Sequence, residues 1–178
     1  MTIKHLSALL ATSALAVAAT PAFAESSQLP DVNFACQTGD VPTTVAQTAD
    51  DSVSKPIFHW KSDVLPGSLN AEQLCNSVAA KLEDYSAKGF DLSSIKFNSG
   101  EQAGLPAICA SGEARGCDLV LFTLAPAKEP FKVANDVLND ILDKSLQGEK
   151  REYRVRGIQS TSYQVDFWSL FGFPKFLK

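Results

Sequence analysis

The sequence predicts a single α+β domain: an antiparallel sheet with two helices packed on one face, in the order βββ-α-β-ββ-α with one late strand. Three observations carry this. Short runs of strand length, dense in β-branched and aromatic residues, are separated by turn residues. Two longer segments repeat apolar residues at the helical three-four spacing. Four cysteines, an even number, follow an export-type N-terminus and fit a fold stapled by two disulfides.

Met1–Ala24 combines Lys4, an apolar run from Leu6 to Ala19 and the small-x-small triplet Ala22-Phe23-Ala24. It reads as a secretory signal peptide cleaved after Ala24, because the run is too short and too rich in Ala and Thr to span a membrane. Residues 25–32 follow as a flexible segment, 33–157 as the disulfide-stapled domain and 158–178 as an aromatic, basic C-terminal tail.

Val32–Gln37 is the first expected strand, with Val32, Phe34 and Cys36 alternating on one face. Pro42–Thr48 and Pro56–Lys61 complete a three-stranded meander. A helix is framed by Gly67 and Gly89. Ser68 or Asn70 caps it, and its stripe is Ala71, Leu74, Cys75, Val78, Ala79, Leu82 and Tyr85. Leu92–Asn98 is the next strand and Ser99–Ala103 a turn. Leu105–Ala110 and Leu119–Ala125 then form a hairpin, expected as the central pair of the sheet. Pro130 opens the second helix, which runs to Gln147-Gly148. Its stripe is Phe131, Ala134, Val137, Leu138, Ile141, Leu142 and Leu146, and its wet side Asn135, Asp136, Asn139, Asp140 and Asp143. Tyr153–Arg156 is the late strand, Gly157–Ser162 a polar linker. Since each helix has one apolar stripe, layer logic sets both on one sheet face.

Charge divides the chain. Residues 25–143 hold 8 basic and 17 acidic residues, whereas residues 144–178 hold 7 basic and 3 acidic. The acidic balance excludes a nucleic-acid partner, which needs a basic face. No C-x-x-C pair occurs and His59 is the one histidine after the cleavage site, so structural zinc is disfavoured.

Cys36, Cys75, Cys109 and Cys117 allow three pairings. The hairpin spacing favours Cys109–Cys117. Cys36–Cys75 then ties the first strand to the first helix, a bridge worth somewhat over ~3 kcal/mol, with the hairpin bridge worth less.

No residue constellation specifies a chemistry. His59 lies between Phe58 and Trp60 and reads as a surface or edge-strand residue without the nucleophile and carboxylate of a catalytic set. Asp50-Asp51, Glu83-Asp84 and the helical Asp136, Asp140 and Asp143 lack calcium-loop spacing. The glycines make turns, not a phosphate loop. Trp60 and Tyr85 read as core before they read as a pocket lining. Catalytic, cofactor and metal residues are therefore expected to be none.

The order Phe34-Ala35-Cys36, Pro42–Ala46, Ile57-Phe58-His59-Trp60, Leu74–Val78, Leu105–Cys109 and Cys117–Leu124 resembles the cyanobacterial circadian oscillating protein domain family, over about Phe34 to Leu146. The resemblance implies an exported, membrane-associated protein with no catalytic residues to carry over. Leu74 departs from it, standing where the family tends to have Arg, and the tail after Gly157 lies outside the pattern.

The tail carries the functional expectation. Phe167, Trp168, Phe171, Phe173, Lys175, Phe176 and Lys178 resemble an interfacial contact surface, with rings at headgroup depth and cations toward anionic lipid. Lys150, Arg151, Arg154 and Arg156 add attraction. The opposing expectation folds the tail back as core. The expected protein is thus an exported non-enzymatic module of the periplasm or thylakoid lumen, without cofactor, peripheral on a membrane or bound to a membrane protein complex. The alternative is a soluble binding protein for a small apolar ligand.

Overall fold

Alternating burial marks the first strand, and consecutive buried residues mark the next two. β1 (Val32–Gln37), β2 (Thr43–Thr48) and β3 (Ser54–His59) form an antiparallel meander in a computed structural model that describes residues 31–66, 69–113, 116–155 and 158–172. Val32 and Phe34 are buried on one face of β1, and Cys36 packs partly buried beside them. The expected signal peptide lies outside the described residues, as do Ser68, Arg156, Phe173, Lys175, Phe176 and Lys178.

The second sheet is five-stranded and antiparallel: β4 (Ile95–Gln102), β5 (Leu105–Ser111), β6 (Leu119–Thr123), β7 (Lys150–Val155) and β8 (Ile158–Val165), in the order β6-β5-β4-β8-β7. β4 runs past the expected turn at Ser99 and reverses at Ala103 and Gly104, with φ 52° and 82°. Two successive positive φ values match the strand twist of a two-residue hairpin, and glycine takes one of them without strain.

α1 (Ala71–Ala87) starts where the Asn70 side chain accepts from the Gln73 amide at 2.9 Å, and it closes on Gly89 at φ 80°. It packs on β1, β2 and β6, while α2 (Pro130–Ile141) packs on β4, β5 and β8. A 3-10 helix (Lys144–Glu149) precedes β7, and α3 (Phe167–Leu170) follows β8. Rings from the two sheets meet in one core. Phe58 lies 4.8 Å from Phe97, and Trp60 lies 5.4 Å from Phe122, both edge-on.

The α+β class and the antiparallel pairing are as the sequence predicts; the arrangement differs in four places. The strands divide between two sheets, and the β5–β6 hairpin lies at an edge, since β4 is central. The second helix ends at Ile141, not at Gln147-Gly148. There Leu142 turns extended, bridges to Phe58, and the Asp143 amide donates to the Ile57 carbonyl at 2.8 Å. The outer strand of the first sheet thus takes the chain out of the helix. Last, residues 158–165 are neither linker nor tail but strand β8, paired on both sides, so the folded unit continues through α3.

Candidate functional site

The C-terminal end is built by β8 and α3. Tyr163 and Val165 are buried, and Val165 stands opposite Ile95. Asp166 caps α3 by accepting from the Ser169 amide at 3.2 Å. The Phe167 amide donates to the Leu92 carbonyl at 3.1 Å, and its ring is 0% exposed, edge-on to Phe34 at 5.4 Å. Phe167 is therefore core and not a contact residue: its apolar area is spent inside. Trp168 and Phe171 are half-buried against the same core. Gly172, at φ 80°, is the last described residue, and Phe173 to Lys178 continue from this fixed point in the sequence.

A cleft of about 480 Å³ opens beside α3, lined by Asp31, Val32, Glu83, Phe90, Leu92 and Trp168 among others. Phe90 is 43% exposed and stacks on Tyr85 at 3.9 Å. Sequence reasoning missed Phe90 because it falls outside the helical stripe; an aromatic directly after the helix-ending Gly89 is the signal that marks it. Tyr85 is core, and burial with the Asp118 carboxylate holds its hydroxyl above the ordinary tyrosine range.

Both disulfides pair as the spacing favoured. Cys36 joins Cys75 with Cα atoms 5.4 Å apart, and Cys109 joins Cys117 at 5.1 Å. The second closes a loop held from below by Asn98. Its amide donates to Ser111 Oγ at 2.7 Å, to the Gly116 carbonyl at 2.8 Å and to the Glu113 carbonyl at 3.2 Å. Ser111 Cβ lies 3.2 Å from where a Gly116 side chain would begin, so a larger residue there meets the loop wall.

His59 belongs to a clamp. Its Nε2 lies 2.7 Å from Asp143 Oδ2, and its Nδ1 lies 3.4 Å from Thr43 Oγ1. Asp143 also accepts from the Ser145 hydroxyl at 2.6 Å and the Ser145 amide at 2.8 Å. Burial pushes the Asp143 carboxyl up, but the Ser145 and His59 hydrogen bonds outweigh it and hold it below the ordinary aspartate range. Asp143 is thus not on a solvated helix face with Asp136 and Asp140. Nor do Asn135 and Asn139 belong to the wet side. Asn135 accepts from the Thr161 amide at 2.9 Å and from the Ser99 hydroxyl, and Asn139 accepts from the Tyr163 hydroxyl. Among the described residues no group of three His, Cys, Asp or Glu converges as a metal site. Among them, too, no helix is long and apolar enough to cross a membrane.

A family model described as circadian oscillating protein COP23 matches residues 33–171. The match extends past Leu146, where the sequence resemblance ended, through β8 and α3. No curated protein and no solved structure matches the chain.

Proposed function

The chain belongs to the circadian oscillating protein COP23 family, and from that premise we propose that it is an exported, non-enzymatic docking module held at a membrane surface by its C-terminal end. One observation carries the reading. Phe167 fixes α3 in the core, and Phe173, Lys175, Phe176, Leu177 and Lys178 come next in the sequence. These residues supply apolar rings and two cations, the pair of attractions that an anionic interface rewards. The 7 basic and 3 acidic residues of 144–178 add to them. Export is supported by the two disulfides, which persist in oxidising compartments, and by the leader-like composition of Met1–Ala24. The non-enzymatic reading rests on the sequence, in which no motif specifies a chemistry; in the fold the His59 ring nitrogens face Asp143 and Thr43, the carboxylate and hydroxyl that the sequence did not place beside it.

Flotation tests it. The chain from Glu25 should float with phosphatidylserine vesicles and not with phosphatidylcholine vesicles. A chain ending at Gly172 should stay at the bottom while melting at the same temperature. If the shortened chain floats equally well, the reading is wrong; if it melts several degrees lower, residues 173–178 are core.

A further inference from the structure

The cleft beside α3 brings together two rings and two carboxylates, each held by a different part of the fold. Phe90 lies nearly parallel on the buried Tyr85, with ring centroids 3.9 Å apart, and is still 43% exposed. Trp168 sits on α3, which Phe167 fixes in the core. Glu83 accepts from the Phe34 amide at 2.7 Å, which fixes its carboxylate beside β1. The Asp31 carbonyl accepts from the Ala49 amide at 3.0 Å, which fixes the chain where β1 begins. The volume, about 480 Å³, is that of a small-molecule site. Groups on such supports lose little freedom when a ligand arrives.

We propose that this cleft binds a small soluble organic cation of the quaternary-ammonium class, of which choline is the simplest probe. Aromatic faces attract a cation through the ring quadrupole, and Trp does so best. Asp31 and Glu83 add charge of the opposite sign. A quaternary ammonium uses both kinds of group, because its methyl groups carry the positive charge onto the rings and it has no N–H to satisfy. An apolar ligand would take water from two carboxylates and give nothing back. An anion would meet like charge. The 17 acidic and 8 basic residues of 25–143 draw cations toward this part of the chain. The choline headgroup of a lipid fits worse than the free cation, since its phosphate would face the same carboxylates. The cleft residues are separate from 173–178, so the proposal stands whether or not the C-terminal end binds lipid.

The test is a titration of choline chloride into the isotope-labelled chain from Glu25, against sodium chloride at equal ionic strength. The expected result is saturable shifts of the Asp31, Glu83 and Phe90 amides and of the Trp168 indole. The uncharged isostere 3,3-dimethylbutan-1-ol should bind about tenfold more weakly or less, and phosphocholine should bind more weakly than choline. Asp31→Asn and Phe90→Leu should each weaken choline about threefold while leaving the rest of the amide spectrum in place. The chain ending at Gly172 should bind choline as the longer one does. Absence of saturable shifts overturns the proposal. Equal binding of the uncharged isostere overturns it too, and marks the cleft as an apolar pocket. Unchanged affinity in the Asp31→Asn/Phe90→Leu double variant places the cation elsewhere and rejects the site. Binding that appears only in the chain ending at Gly172 makes a lysine of 173–178 the occupant. Flotation with phosphatidylcholine vesicles that free choline reverses makes it a lipid headgroup, and either result rejects the soluble cation.

Discussion

Trp60 shows how much one polar atom constrains this core. Its ring is fully buried, and its Nε1 donates to Thr44 Oγ1 at 2.8 Å. Thr44→Val keeps the shape and removes the acceptor. A buried N–H without a partner costs about 1–3 kcal/mol, which a urea titration should read as a lower midpoint with an unchanged slope. Asp143 gives a pH prediction. Its carboxyl is held below the ordinary range in the folded protein, so the stability it contributes is complete above the unfolded-state value. That stability is lost as pH falls through the lower folded-state value. Asp143→Asn should therefore lower stability near neutrality and flatten its decline in acid, measured by melting temperature against pH. The sequence misplaced Asp143 for a definite reason. Three-four spacing groups it with Asp136 and Asp140 only if the helix continues, and the β3 edge ends the helix at Ile141.

α1 does more than bury a stripe. Lys81 and Glu83, two residues apart, reach opposite ways and close the edges of both sheets. Bare edges recruit other chains, and a charged side chain on the backbone groups prevents that. Glu83→Ala should expose the Phe34 amide to faster hydrogen exchange and cost about 1.5–3 kcal/mol, as for other hydrogen bonds to a charged group. At this scale most elements were legible, because strand and helix signals are local: the β1–β3 meander, the Asn70 cap and the Pro130 start all follow from neighbouring residues. β8 was not. Its Ser160, Thr161 and Ser162 look like linker, yet all three are buried. Ser160 Oγ donates to the Ser99 carbonyl at 2.6 Å, and the Thr161 amide donates to Asn135 at 2.9 Å. Polar residues become core when partners far away in sequence satisfy them, and no pattern in the strand itself announces those partners.

The whole molecule is two sheets sharing one core, with α1 lying across both and the Cys36–Cys75 bridge fastening it to the first. Bridge length sets the stabilisation that loop entropy predicts. Replacing Cys36 and Cys75 with alanine opens a 39-residue separation and should cost about 4 kcal/mol, against about 2.5 kcal/mol for Cys109 and Cys117 at a separation of 8. Reversible unfolding of the two double variants checks the order. The division into two sheets was not legible, since pairing across distant strands leaves no mark in local sequence. The candidate contact surface was legible only in part: its composition is plain, but which ring is core depends on Phe34, far along the chain from Phe167. The central claim is that the folded unit is a support and that residues 173–178 hold it to a membrane. Sedimentation with native membranes tests this most directly. The account predicts that the chain from Glu25 pellets at low salt and is released at high salt, while the chain ending at Gly172 stays in the supernatant. Pelleting of the shortened chain, or failure of the longer one to pellet at low salt, would contradict it.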